Sequence, residues 1–136
     1  MVSTIILTTQ QHNILAKLAK ESLPNESCAL LVSDNNKRKE ISIIDIIPMK
    51  NSDLSVLTFS IDPQELIDTY QKVEKQDRQV VGIFHSHPAE PIPSSIDKKF
   101  MEINPVVWLI YSTTTNESKA YIFEEKIKEV QLVLMA

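Results

Sequence analysis

Residues 79–88 read Gln-Val-Val-Gly-Ile-Phe-His-Ser-His-Pro, and the rest of the chain is best understood from them. Residues 79–84 are apolar and β-branched, which predicts a buried strand. His85 and His87 follow at its exit. Side chains two residues apart on an extended segment share one face, with Cα atoms about 7 Å apart. Since the chain has only one other histidine, His12, the pair predicts a metal site at a strand end.

A second motif, Ser94-Ser95-Ile96-Asp97, follows a proline-rich loop and predicts a short helix that ends near Ile103. Asp97 would be the third protein ligand beside His85 and His87. A tetrahedral zinc would then keep its fourth position for water, as catalytic zinc sites do. Ser-x-x-Asp is also similar to a capping box, in which the aspartate only caps the helix. The two roles are compatible, because an aspartate in the first helical turn can also point toward a metal.

Two further possibilities stay open from the residues alone. A purely structural zinc would need a fourth protein ligand, and Cys28 is the only thiol in the chain. A catalytic site would need a general base, which spacing does not identify among 18 acidic residues. His12 stands beside two glutamines on the first predicted helix, so we expect it to be exposed.

Composition limits the class of protein. The 136 residues, 43% of them apolar, predict a single domain over residues 1–136. A net charge of -4 argues against nucleic acid as a partner. The single cysteine excludes an internal disulfide and favours the cytoplasm, and no apolar stretch is long enough for a membrane span. The single glycine excludes the glycine-rich loops that bind nucleotides.

The periodicity predicts an α/β (α+β) fold in which a mixed, curved or barrel-like sheet is flanked by two longer helices and one short helix. Strands are predicted over residues 2–7, 27–32, 40–48, 56–61, 79–84, 106–112, 120–123 and 127–135. One helix should begin after Thr8 or Thr9 and end at Ser22. Another should begin at Asp62-Pro63, and the short one at Ser94 or Ser95.

These motifs resemble the JAMM, or MPN+, zinc metallopeptidase family, whose pattern is a distant glutamate, His-Ser/Thr-His-Pro, a loop and Ser-x-x-Asp. The resemblance extends over most of the chain, through the segments 24–31, 59–70, 80–87 and 108–111. It implies a cytidine-deaminase-like MPN fold of the compact prokaryotic type. It further implies one zinc ion per chain, with His85, His87 and Asp97 as ligands.

The resemblance also implies catalytic roles for two residues. Glu26 would be the general base, hydrogen-bonded to the water, and Ser94 would donate a hydrogen bond to the tetrahedral oxyanion. The substrate would be the amide bond after the C-terminal Gly-Gly of a ubiquitin-like or small sulfur-carrier protein. Its extended tail could pair with an edge strand near residues 56–61. The alternative function is a non-catalytic MPN scaffold or ubiquitin-like-protein-binding module, although such domains usually lose ligands.

The sequence departs from the family pattern in two places. Six residues, 88–93, separate His87 from Ser94, where most members have seven. Ala29 stands where glycine is usual, which a negative φ would allow. Neither change removes a residue of the predicted site.

Overall fold

The chain forms a mixed sheet of eight strands with three helices in the ranges 2–34, 38–52 and 60–136, which the computed structural model describes. The elements, in chain order, are β1 (Thr4–Thr8), α1 (Thr9–Ser22), β2 (Cys28–Asp34), β3 (Glu40–Ser42), β4 (Asp45–Met49), α2 (Pro63–Lys75), β5 (Arg78–His87), α3 (Ser95–Ile103), β6 (Val107–Ser112), β7 (Ser118–Glu124) and β8 (Lys126–Met135). Their order in the sheet is β3-β1-β8-β7-β6-β5-β2-β4. The predicted fold class is confirmed.

The two edges of this sheet lie close together. β3 and β4 are the two edge strands, yet only Ile43 and Ile44 connect them. Such a connection spans at most about 11 Å, so the sheet must curl toward closure. The two linking amides show the closure directly, since Ile43 N donates to the carbonyl of Ile6 and Ile44 N to that of Val32. The barrel-like curvature expected from the sequence is present.

The strand predicted over residues 40–48 was wrong in its length. Residues 40–48 do not form a single strand, because consecutive amides at Ile43 and Ile44 pair with different strands and divide the segment into β3 and β4. The strand predicted over 56–61, with the substrate edge assigned to it, lies largely outside the described residues. Of that segment, residues 60 and 61 are described, and neither is in a strand.

Helix starts agree with the predicted caps. Thr8 and Gln11 form a capping box at α1, and the Asp62 side chain accepts the Glu65 amide at α2, where Pro63 is the first helical residue. None of the helices within the described ranges has both the length and the apolar character to cross a bilayer.

The sheet separates two apolar cores. The core on the α1 side includes Leu15 and Phe84, and the core on the opposite side, under α2 and α3, includes Ile83, Met101 and Trp108. Because strand side chains alternate between faces, His85 and His87 lie on the Ile83 side. Both histidines are therefore oriented toward α3.

The pairing of β2 with β5 sets the geometry of the site. The two strands are antiparallel, with Cys28 opposite His85 and Leu31 opposite Gly82. Beyond Leu31 the register shifts by one residue, so that Val32 pairs with Val80. Val81 is the extra residue of this β-bulge.

Gly82 lies where a side chain would meet the neighbouring strands. A Cβ there would be 3.0 Å from the Val107 carbonyl oxygen and 3.0 Å from Leu31 Cδ1. We expect Gly82→Ala to lower the free energy of unfolding by about 1–3 kcal/mol, because the backbone carbonyl must shift. Urea unfolding followed by circular dichroism measures this change. Ser42→Ala on the edge strand β3 is the control, and equal stabilities for the two variants would contradict the expected crowding.

Candidate metal centre

The strand register brings the predicted base and the two histidines together. β2 begins at Cys28, which is opposite His85. Continuing the antiparallel register by two residues places Glu26 opposite His87, on the same face of the sheet. Glu26, His85 and His87 are buried and place potential ligand atoms within 4.8 Å of one another. Fifty-eight residues lie between Glu26 and His85 in the sequence, so the sheet alone makes them neighbours.

Asp97 approaches the same point from α3. Its Oδ2 is 3.2 Å from His87 Nε2 and 3.5 Å from His85 Nε2. On the other side of His85, Nδ1 is 3.3 Å from Glu26 Oε1. The structure therefore gathers four of the five predicted site residues in one cluster of two imidazoles and two carboxylates.

Asp97 also caps the helix that carries it. Asp97 Oδ2 accepts the Ser94 amide at 2.8 Å, while Ser94 Oγ accepts the Asp97 amide at 3.1 Å. The capping interpretation is therefore correct, and the cap orients the carboxylate toward the histidines. Because Ser94 Oγ acts as the acceptor in this cap, its own O–H proton is free to be donated elsewhere.

The electrostatics of the cluster favour a cation. Burial alone would raise the pKa of Asp97, but its hydrogen bond to His87 and the nearby His85 lower it to about 2. Burial alone would lower the pKa of His87, and the hydrogen bond and charge of Asp97 raise it instead. Both shifts come from the attraction between Asp97 and a positive charge beside it, and in a metal site His87 would bind as the neutral imidazole.

The environment of the Glu26 carboxylate indicates whether a metal fits this site. Its side chain is 2% exposed, and its Oε1 accepts no hydrogen bond within the described ranges. In that same part of the chain, no lysine or arginine pairs with Glu26 or Asp97. Burying two carboxylates without a compensating cation is unfavourable. A divalent ion that prefers nitrogen and oxygen ligands, such as zinc, suits this donor set.

Cys28 is close to the cluster but suited to packing rather than chemistry. It is fully buried, and its thiol donates to the Met49 carbonyl at 3.4 Å. Burial, with the charges of Glu65 and Glu26, raises the pKa of the Cys28 thiol to about 12. At neutral pH it is therefore a neutral thiol, a poor nucleophile and a poor fourth ligand.

We expect iodoacetamide at pH 8 to alkylate Cys28 at least about 100-fold more slowly in the native protein than in the urea-unfolded chain, because burial keeps nearly all of the thiol protonated. Between pH 7 and 9 the rate in the urea-unfolded chain should begin to level off, because an ordinary thiol has a pKa of about 8.5, whereas the native rate should still rise about tenfold per pH unit. Mass spectrometry at timed intervals measures both rates. A native rate close to the unfolded one, or one that levels off near pH 8.5, would show that the pKa of the Cys28 thiol is not raised.

The expected exposure of His12 is wrong. His12 is half-buried, its Nε2 lies 2.7 Å from Ser118 Oγ, and its ring packs edge-on against Tyr111. Burial lowers the pKa of His12. The neighbouring glutamines led to the prediction of an exposed side chain. They do not indicate this contact, because the partner residues lie about a hundred positions away on β6 and β7.

Two residues that contact the predicted ligands were not identified from the sequence. Thr113 donates to the His87 carbonyl from both its amide, at 2.9 Å, and its hydroxyl, at 3.2 Å. The ring of Trp108 meets the His85 ring edge-on, with centroids 5.8 Å apart. The parallel pairing of β5 with β6 places both beside the histidines, and that pairing is not visible in the sequence motifs.

The two departures from the family pattern do not disrupt the cluster. The six-residue loop after His87 still delivers Asp97 to both imidazoles. Positive φ values at non-glycine residues of the described ranges occur at Asp77, Asn116 and Glu125. Ala29 is not among them, so it occupies its buried strand position without backbone strain.

Comparisons with known proteins give the family of the chain and a related fold. Residues 8–123 match the family described as prokaryotic homologs of the JAB domain. A desampylase from Pyrococcus furiosus is 35% identical over 135 residues, covering 97% of this chain and 91% of the relative. A CysO-cysteine peptidase from Mycobacterium tuberculosis is 27% identical over 114 residues, covering 82% and 75%. The solution structure of protein DSY2949 from Desulfitobacterium hafniense has a TM-score of 0.82 at 30% identity, covering 96% and 92%.

Proposed function

The chain belongs to the family of prokaryotic homologs of the JAB domain, and from this premise we propose that it is a zinc-dependent peptidase of the JAMM type. The observation that carries the proposal is the convergence of Asp97 Oδ2 on the Nε2 atoms of His85 and His87 beside the buried Glu26. His85, His87 and Asp97 would hold the ion. A three-ligand set of this kind leaves a coordination position for water or substrate.

Bound zinc would polarise the scissile carbonyl and lower the pKa of a water molecule to about 7. Glu26 would accept the proton of that water and return it to the leaving amine. Its position beside both histidines supports this role, since the carboxylate lies 3.3 Å from His85 and 3.9 Å from His87. It is the one carboxylate of the cluster that does not also cap a helix.

Ser94 would stabilise the oxyanion. Its Oγ accepts the Asp97 amide, and no acceptor for its O–H proton is found among the described residues. A hydroxyl held in this way can donate to a negative oxygen that develops next to Asp97. The cap thus fixes Ser94 relative to the ligand of the same helix turn.

The substrate we propose is the amide bond that follows the C-terminal Gly-Gly of a ubiquitin-like or small sulfur-carrier protein. Two kinds of curated relative, named desampylase and CysO-cysteine peptidase, support a hydrolase with a protein substrate of this class. We further propose that the protein works in the cytoplasm.

The test combines metal analysis with cleavage. Zinc is measured by elemental analysis of the purified chain, and a fusion is supplied in which a ubiquitin-like protein ending in Gly-Gly is followed by a linear extension. We expect one zinc per chain and a product that ends at the second glycine. The matched control fusion carries Ala-Ala at the junction.

Two results would contradict the proposal. Zinc without cleavage of the Gly-Gly fusion would favour the scaffold or binding function instead. Cleavage that persists after zinc is removed with a chelator and verified to be absent would show that the activity does not depend on the metal.

A further inference from the structure

The peptide bond between Glu26 and Ser27 is held from both sides by side chains of other segments. The Asn51 amide nitrogen Nδ2 donates to the Glu26 carbonyl at 2.8 Å. The Ser27 amide donates to Ser86 Oγ at 2.9 Å. The carbonyl and the N–H of one peptide unit therefore each have a side-chain partner. We call these two hydrogen bonds the Glu26–Ser27 clamp.

Ser86 is placed for this contact by its position between the two histidines of β5. Strand alternation turns its side chain to the face opposite His85 and His87. There it is 2% exposed, and its Oγ also accepts the Ser27 hydroxyl at 3.1 Å. Its own amide donates to the Ser27 carbonyl at 3.1 Å. The residue that separates the two imidazoles thus bonds the segment that carries Glu26.

Asn51 is fixed independently of Glu26. Its Oδ1 accepts the Ser60 amide at 3.0 Å. Next to it, Ser52 donates to the Ser60 carbonyl from its amide, at 2.8 Å, and its hydroxyl, at 3.0 Å. These hydrogen bonds to Ser60 hold the Asn51 side chain in place whether or not it contacts Glu26. We call them the Asn51 frame.

The clamp has a direct geometric consequence. A peptide unit is planar, so fixing both its carbonyl and its N–H fixes the orientation of the whole plane. That orientation restricts ψ of Glu26 and hence the direction in which its side chain leaves the backbone. The Glu26 carboxylate has no hydrogen bond at Oε1 among the described residues, so its placement depends on the backbone that carries it.

We propose that Asn51 and Ser86 are positioning residues for Glu26. This inference rests on the proposed function, in which Glu26 transfers the proton. The two side chains contact neither the substrate nor the ligand atoms. They act by holding the Glu26–Ser27 peptide so that the carboxylate stays beside His85 and His87.

The first arm of the test detects the clamp without turnover, using nuclear magnetic resonance on the zinc-loaded full chain. Ser86→Ala should speed hydrogen exchange of the Ser27 amide at least tenfold, because its acceptor is lost. Asn51→Ala should shift the carbonyl ¹³C resonance of Glu26. Ser52→Ala is the matched control, since it removes one hydroxyl bond of the Asn51 frame and leaves both Glu26–Ser27 contacts intact.

The second arm measures hydrolysis of the Gly-Gly fusion. Asn51→Ala and Ser86→Ala should each lower kcat at least tenfold while KM stays within twofold and zinc stays at one per chain. Ser86→Thr restores the hydroxyl and should recover most of kcat. Ser52→Ala should match the wild type.

Several results would overturn the inference. Unchanged Ser27 exchange and Glu26 carbonyl shift would show that the clamp does not hold the peptide. An unchanged kcat in both alanine variants would show that the clamp does not position Glu26. Parallel losses of kcat, substrate affinity and zinc would indicate general damage to the fold. The proposed function fails in a different way, namely when the wild type itself, loaded with zinc, cleaves no Gly-Gly fusion.

Discussion

Glu26→Gln is expected to retain one zinc per chain and to lower kcat by about 10²- to 10⁴-fold, the usual contribution of a general base. Glutamine has nearly the same shape as glutamate but cannot accept a proton at neutral pH. The change leaves the proposed ligands His85, His87 and Asp97 in place. Initial rates on the Gly-Gly fusion and elemental analysis of the same preparation measure the two properties.

Glu102→Gln is the matched control for this experiment. Glu102 lies on α3, five residues after Asp97, and is exposed. The same change of chemistry at that position should leave both kcat and zinc content as in the wild type. A Glu26→Gln enzyme that cleaves at the normal rate would show that another group takes the proton.

Asp97→Asn should weaken zinc binding by more than about 100-fold and abolish cleavage at ordinary zinc concentrations. Loss of a group that only supports a ligand already costs 10- to 100-fold, and Asp97 is proposed as a ligand itself. The asparagine oxygen can still accept the Ser94 amide, so α3 should keep its cap. Competition with a chromophoric chelator gives the affinity, and circular dichroism verifies the fold.

Asp62→Asn supplies the control for Asp97→Asn. The Asp62 side chain likewise accepts a backbone amide at a helix start, that of Glu65 at 3.0 Å, but it is the exposed N-cap of α2. Loss of its charge should not change zinc affinity. Wild-type affinity in Asp97→Asn would mean that Asp97 is a cap and nothing more.

Local patterns predicted much of the fold because they depend on few residues. The starts of α1 and α2 follow from Thr8 and from Asp62-Pro63, and the apolar run before His85 predicts β5. The exception was the isoleucine-rich segment 40–48. It looks uniform in sequence, whereas its two halves, β3 and β4, form the two opposite edges of the curled sheet. Which strand an amide pairs with is a tertiary property that local composition does not contain.

The site shows the same division between local and tertiary information. His85, His87 and Asp97 were found from short motifs, because two histidines on a strand and an aspartate in a helix turn have recognisable spacing. Glu26 was identified only through resemblance to a family, since its proximity depends on the β2–β5 register. Thr113 was missed, because its contact with the His87 carbonyl requires knowledge of the turn after β6.

The bulge at Val81 bears on which changes of chain length the protein could tolerate during divergence. It divides the β2–β5 ladder into an inner part, which includes the pairing of Cys28 with His85, and an outer part from Val32 to Asp34. A residue inserted or deleted in the short connection between α2 and β5 would first alter the outer pairing. The bulge can absorb such a shift. Homologous chains could therefore differ in length before β5 while the β2–β5 register still places Glu26 beside the histidines.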